Sequence, residues 1–122
     1  MTQPHLLTPA GFRANGVYAG IKQKQTNDVG VLVADRADGA AAAAVFTGNK
    51  VFAAPIAVGR RHIKSGRLKA LVINSGNANA CTGKQGVDDA LSMCRLTAQL
   101  VGCKPRDVLP GSTGLIGHLL PM

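Results

Sequence analysis

Lys69-Ala70-Leu71-Val72-Ile73-Asn74 is the clearest strand in the chain, and it runs straight into Ser75-Gly76-Asn77-Ala78-Asn79-Ala80-Cys81-Thr82-Gly83. A short apolar, β-branched run bounded by polar residues predicts a buried strand, and the small residues after it predict a loop. The amides of Asn74, Asn77 and Asn79 can bond their own backbone or a ligand, and Asn after a strand ordinarily does the former. Downstream, Val87, Ala90, Leu91, Cys94, Ala98 and Val101 fall at helical spacing, so a helix is expected over Gln85 to Val101 with Gly102 just past its end. Asp88 and Asp89 are then expected in the first turn, where they favour the positive end of the dipole. Adjacent helical residues point in different directions, so they do not form a catalytic carboxylate pair. Cys94 reads as a core thiol.

Beyond a turn at Lys104-Pro105-Arg106 and a short strand at Asp107-Val108-Leu109 lies Leu109-Pro110-Gly111-Ser112-Thr113-Gly114-Leu115-Ile116-Gly117. Its glycines let backbone N–H groups approach a ligand, and Ser112 or Thr113 can cap a following helix or donate a hydroxyl proton. The stretch fits an ordinary strand-to-helix turn, and it also fits a turn that holds an anion or an oxyanion.

Upstream, Pro4, Pro9, Gly11 and Gly16 suit an extended arm over residues 2–16. Val17 to Ile21 is expected as a short strand and Lys22 to Asp28 as a polar connection. Val29-Gly30-Val31-Leu32-Val33-Ala34 predicts a strand buried on both faces, followed by a turn at Asp35 to Gly39. Ala40 to Thr47 is assigned to strand, because Gly39 and Gly48-Asn49 bracket too few residues for a stable helix. Pro55 suits the first turn of a helix from about Ala54 to Ser65, stopped by Gly66, with basic residues in its last turns. Alternating strands and helices make a layered α/β domain with a mixed sheet the expected class.

The bulk properties fit one domain spanning residues 1–122, long enough to bury about two-thirds of its unfolded surface. Hydrophobic residues make up 46% of the chain but aromatics only 3%, so the core is built from Ala, Val, Leu and Ile. Fourteen Lys and Arg against six acids, all Asp, give a net charge of +8. The basic density peaks between Arg60 and Lys69 without an interleaved aromatic for base stacking, which argues against nucleic acid. A solvated helix face or an interface to an acidic partner is expected there. Cys81, Cys94 and Cys103 fit no paired spacing and His5, His62 and His118 are scattered, so neither disulfides nor a metal site are expected. No apolar run approaches the ~20 residues of a membrane span, and a reduced cytoplasmic setting is the expectation.

Familiar catalytic motifs fail. Gly111-Ser112-Thr113-Gly114 is not the Gly-x-Ser-x-Gly elbow of a hydrolase, and His118 has no orienting acid nearby in sequence. Gly83-Lys84-Gln85 lacks the hydroxyl of a phosphate loop, and no Gly-x-Gly-x-x-Gly is present. What remains is a site with donors and no nucleophile.

The order of Ala19-Gly20-Ile21-Lys22, Ala44-Val45-Phe46-Thr47 with Ala53-Ala54-Pro55, the Asn74 to Gly83 block, and Ser112 to Gly117 with Leu120-Pro121-Met122 resembles the N-terminal part of the ornithine acetyltransferase family. That family is also called bifunctional glutamate N-acetyltransferase, or ArgJ. The resemblance implies an αββα-type sandwich with a mixed β-sheet, incomplete without a partner chain. It implies a precursor that cuts itself before a threonine, giving α and β chains that stay together as an α2β2 assembly. The freed threonine takes acetyl from N-acetylornithine and passes it to glutamate in the route to arginine, some members also using acetyl-CoA as donor.

By the same resemblance, the Thr113 hydroxyl and the Gly114 backbone N–H form the oxyanion hole. An N-terminal threonine brings its own α-amino group as base, so no triad is needed in this chain and no cofactor is expected. Two departures stand out. Pro110 precedes the hydroxyl pair, so the strand is expected to end early and the turn to be reshaped. The chain also stops at Met122, before the family's nucleophile and other substrate contacts, and Thr2 does not sit in a cleavage context. The competing readings are a free-standing anion-binding or interaction module and a self-processing amidohydrolase relative.

Overall fold

The computed structural model describes residues 9–122. Strands β1 (Phe12–Val17), β2 (Val29–Ala34), β5 (Ala70–Asn77) and β6 (Val108–Leu115) form one sheet in the order β1-β2-β5-β6. β1, β2 and β5 are antiparallel neighbours, whereas β5 and β6 run parallel, joined by helix α2 (Gly83–Val101). The sheet is therefore mixed, as expected. Strands β3 (Ala40–Ala41) and β4 (Arg67–Leu68) make a separate two-stranded ladder, and helix α1 (Ala54–His62) packs against β6 and α2.

The core lies between the sheet and the helices. Ala70 and Val72 of β5 and Val108 of β6 meet Val58 of α1 and Ala90, Met93, Cys94 and Ala98 of α2. Small and branched side chains let these layers approach closely, in keeping with the scarcity of aromatics. Pro55 occupies the first turn of α1, and Arg60, Arg61 and His62 its last. Beyond His62 the chain tightens into a single 3-10 turn, Ile63–Ser65, and stops at Gly66 with φ +69°. Gly102 ends α2 at φ +77°, its N–H bonded to the Ala98 carbonyl at 2.9 Å.

Several boundaries differ from the sequence expectation. The strand expected at Val17 to Ile21 forms earlier, as β1, taking residues 12–16 out of the expected extended arm; residues 2–8 of that arm lie outside the described residues. Its polar sequence gives no alternating signal because it is an edge strand, and pairing with β2 decides its conformation. Of the strand assigned to Ala40 to Thr47 only Ala40 and Ala41 pair, with Leu68 and Arg67. After Ala42 the chain leaves the ladder and brings Phe46 against Gly59 and Arg60 of α1.

α2 begins at Gly83, so Asp88 and Asp89 lie beyond the first turn. Their partners are local: Lys84 Nζ sits 2.6 Å from Asp88, and Gln85 Nε2 donates to Asp89 at 2.7 Å, both four residues back. β5 continues through the expected loop as far as Asn77. The largest difference is at the glycine-hydroxyl stretch, which is the second half of β6 and not a turn, with no helix after it for Ser112 or Thr113 to cap. Pro110 neither ends the strand nor reshapes it. It lies on β6, an edge strand among the described residues, where a missing N–H is tolerated, and pairs in register with Val72 of β5.

Candidate active site

The parallel pair β5–β6 brings the two conspicuous sequence blocks together. In register, Asn74 faces Ser112, Ser75 faces Thr113 and Gly76 faces Gly114, with an irregularity at Gly76 and Asn77. Such C-terminal ends of parallel strands are where open α/β sheets place their ligands. The ladder loses its regular register at this end.

The asparagines hold the place still. Asn74 is buried; it donates through Nδ2 to the Asn77 carbonyl at 2.8 Å and accepts the Ser112 hydroxyl at 2.5 Å. Asn77 donates to the carbonyls of His118 and Leu119, both at 3.0 Å, and accepts the Asn79 N–H at 2.7 Å. Asn79 donates to the Gly86 carbonyl at 2.8 Å and accepts the Thr82 hydroxyl at 2.8 Å. Its own carbonyl takes the first N–H of α1, from Ala54. Every amide is thus spent on backbone geometry, the ordinary role expected of Asn after a strand. Asn79 and Cys81 nonetheless hold left-handed conformations, φ +48° and +56°, a cost this network offsets.

Thr113 and Gly114 stand out against this frame. Side chains alternate along a strand, so Thr113 projects from the face opposite Ser112. Thr113 is exposed, and its hydroxyl has no side-chain hydrogen bond among the described residues, whereas that of Ser112 is committed to Asn74. Gly114 has φ +137°, and a Cβ there would stand 2.3 Å from the Gly76 carbonyl carbon. Only glycine fits. An exposed hydroxyl and a glycine peptide therefore stand side by side on a support whose asparagine side chains are all hydrogen-bonded. Cavities of about 420 and 440 Å³ elsewhere contain neither residue.

The remaining sequence candidates separate clearly. Cys94 is buried in the core and desolvation pushes its thiol up to about 12, so it is no nucleophile at neutral pH. His118 is exposed beyond β6. Arg61, Lys64 and Arg67 of the basic run are exposed, in line with a solvated face, while Arg60, Arg67 and Lys69 also bond groups of the chain itself. Arg60 donates to the Thr47 carbonyl and lies 4.5 Å from the Phe52 ring centroid, Arg67 binds Asp38 and the Gly39 carbonyl, and Lys69 Nζ reaches the carbonyls of Ala34, Asp35 and Arg36. Among the described residues no cluster of His, Cys or Asp has the arrangement of a metal site. Among the described residues no helix is long and apolar enough to cross a membrane.

Asp28 is a residue that sequence reasoning passed over. It is 3% exposed, and its carboxylate accepts the backbone N–H groups of Ala19 at 2.7 Å, Ile21 at 2.7 Å and Lys22 at 2.9 Å. Burial alone would raise its pKa, but these backbone hydrogen bonds, with the Lys22 charge, hold the carboxyl below its ordinary value. An acid closing a polar loop ahead of an apolar strand is the signal it leaves in sequence.

The model of the ArgJ family matches residues 13–122. The chain belongs to the ArgJ family. It is 47% identical over 114 residues to the arginine biosynthesis bifunctional protein ArgJ of Caldanaerobacter subterraneus subsp. tengcongensis, covering 93% of this chain and 28% of that protein. It is 44% identical over 118 residues to the protein of the same name from Streptococcus thermophilus, covering 96% and 29%. Among solved structures, it superposes on ArgJ from Bacillus halodurans with a TM-score of 0.87 at 45% identity, covering 93% of this chain and 58% of that one. Ornithine acetyltransferase from Mycobacterium tuberculosis, crystallised with ornithine, gives a TM-score of 0.82 at 43% identity, covering 93% and 61%. The chain thus spans less than a third of the length of the curated ArgJ relatives it matches. Its layered α/β architecture is that of ArgJ, in incomplete form.

Proposed function

We propose that residues 1–122 form the N-terminal domain of the α chain of an ornithine acetyltransferase, a cytoplasmic arginine-biosynthetic enzyme, and supply its oxyanion hole. The observation that carries this reading is the exposed Thr113 hydroxyl beside the Gly114 peptide on an internally satisfied β5–β6 support. A companion β chain in an α2β2 assembly provides the nucleophile, an N-terminal threonine. Its hydroxyl gives its proton to that threonine's own α-amino group, which later passes it to the departing ornithine amine, and adds to the acetyl carbonyl of N-acetylornithine, the new C–O bond pushing the carbonyl π electrons onto oxygen. The Thr113 O–H and the Gly114 N–H donate to that oxyanion, and their fixed orientation removes the reorganisation that water would require.

Collapse of the intermediate re-forms the carbonyl and breaks the C–N bond. Ornithine leaves as the amine after taking a proton, and the acetyl group stays on threonine as an ester. Glutamate's amine then attacks the ester through a second oxyanion in the same place, and N-acetylglutamate departs as the threonine oxygen recovers its proton. Acetyl-CoA enters the same scheme as an alternative donor. The free-standing anion-binding module is less well supported, because Arg60, Arg67 and Lys69 of the basic run already bond carbonyls of the chain itself.

Intact-mass analysis tests the reading. The complete protein carrying this chain, mixed with N-acetylornithine and no glutamate, is expected to gain one acetyl group on a companion polypeptide that begins with threonine, and to lose it when glutamate is added. Acetyl transfer by the 122-residue chain alone would refute the division of labour. Amide hydrolysis indifferent to glutamate would point to the amidohydrolase relative.

A further inference from the structure

Thr113 and Gly114 are held on one side by β5, and what holds β5 from the other side is the segment built around Asp28. The Asp28 carbonyl accepts the Ser75 N–H at 2.8 Å. Its carboxylate gathers the N–H groups of Ala19, Ile21 and Lys22, folding that loop onto the end of β5. A Cβ at Gly76 would stand only 3.0 Å from Lys22 Cγ and 3.1 Å from Ile21 Cγ2, so the loop presses directly on the Gly76 backbone. Gly76 presses in turn on Gly114, whose added Cβ would meet Gly76 and Asn77 backbone atoms at 2.3–2.6 Å.

We infer that Asp28 is a positioning residue for the oxyanion pair: its carboxylate seats the Ala19–Lys22 loop against Gly76, and Gly76 sets the placement of Gly114 and Thr113. The inference rests on the acetyl-transfer reading above. Two layers of backbone contact separate Asp28 from the reacting atoms, so it touches no substrate. Its effect falls on transition-state geometry, where displacements well under 1 Å matter, and not on ground-state binding. Asparagine at position 28 keeps one acceptor oxygen but turns an N–H₂ group toward the loop amides, whereas alanine leaves all three N–H groups without their partner.

The test uses the complete enzyme, with kcat and KM for ornithine-dependent acetyl transfer measured on Asp28→Asn and Ile21→Ala. Asp28→Asn is expected to lower kcat by about 10-fold or more with KM within about 2-fold, and Ile21→Ala, which trims the atom against Gly76, to lower kcat by about 3-fold with KM unchanged. Hydrogen exchange should show faster exchange of the Ala19, Ile21 and Lys22 amides and of Ser75 in Asp28→Asn. Unchanged kcat in both variants, or equal losses through KM alone, would overturn the inference while leaving the acetyl-transfer reading intact. If Asp28→Asn does not fold, Ile21→Ala decides by the same criteria. If the wild-type enzyme transfers no acetyl group, the functional reading fails by itself. The exchange comparison then decides whether Asp28 and Ile21 hold the end of β5, and unaltered exchange at Ser75 in both variants would refute it.

Discussion

Gly114 and Gly76 meet across the parallel strands with no room for a methyl group between them: a Cβ on Gly114 would lie 2.3 Å from the Gly76 carbonyl carbon and 2.4 Å from the Asn77 nitrogen. Because both obstacles are backbone, no rotamer change relieves the clash, and the φ of +137° is itself unfavourable for any L side chain. Gly114→Ala should therefore lower the unfolding free energy by about 2–3 kcal/mol and, on the proposed reading, abolish measurable acetyl transfer. Urea denaturation followed by circular dichroism, alongside an ornithine-dependent assay, checks both halves.

The neighbouring hydroxyls should separate cleanly. Ser112→Ala strips the buried Asn74 of its Ser112 donor and is expected to cost about 1–3 kcal/mol of stability. Thr113→Ala removes an exposed hydroxyl and should leave stability within about 0.5 kcal/mol. On the proposed reading it lowers kcat about 100-fold, with Thr113→Ser restoring most of it. Parallel melts and steady-state kinetics on the two variants give the comparison, and a Thr113→Ala enzyme with full kcat would remove that residue from the oxyanion hole.

At the start of α2, Gly86 is wedged against the asparagine network. A Cβ there would sit 1.8 Å from Thr82 Oγ1 and 2.5 Å from Asn79 Oδ1. Gly86→Ala should destabilise the fold by about 3 kcal/mol. Thr82→Ala removes the nearest obstacle, so the double variant should be more stable than the sum of the single losses predicts. A double-mutant cycle on denaturation midpoints measures that coupling directly.

Asp28 also sets a pH dependence. Its folded pKa lies below the ordinary value of 3.8, so the folded state binds the proton more weakly than the unfolded chain does. The stabilisation is fully present above the unfolded pKa of about 3.9 and is lost as pH falls through the folded pKa. Asp38, hydrogen-bonded by Arg36, shifts the same way. The difference between wild type and Asp28→Asn, followed by urea midpoints from pH 6 down to about pH 2, isolates the Asp28 contribution and should shrink toward the acid end.

The inner strands and the long amphipathic helix are legible in sequence from their apolar runs and helical spacing, although Val29–Ala34, expected to be buried on both faces, is only half-buried except at Ala34. Val29 to Ala34, Lys69 to Asn74 and the α2 face from Val87 to Val101 were all found within a few residues. β1 was displaced because an edge strand reading Phe-Arg-Ala-Asn-Gly-Val has little apolar patterning, and its ladder with β2 is a long-range fact. The glycine-hydroxyl stretch is expected as a turn because Pro110, Gly111 and Gly114 are turn-forming locally, yet all three pair with β5 in a parallel strand, Gly114 keeping a positive φ. The family resemblance pointed to Thr113 and Gly114 as a pair, and the register explains their proximity to the asparagine block. Asp28 escaped notice because the three N–H groups it gathers leave no spacing rule for a sequence reader to follow.

The core lies on the side of the sheet that α1 and α2 cover, while elsewhere on the sheet Ile73 is 49% exposed and Leu115 66%. That asymmetry imposes an order of events in the cell. The helix-side core closes from residues inside this chain, since Ala70, Val72 and Val108 find their partners in α1 and α2. The opposite face keeps apolar side chains such as Ile73 and Leu115 in water, the kind of surface through which partly folded chains associate with their own copies. Refolding yield of this chain should therefore fall as its concentration rises, a kinetic burden that the contacts of the folded core conceal.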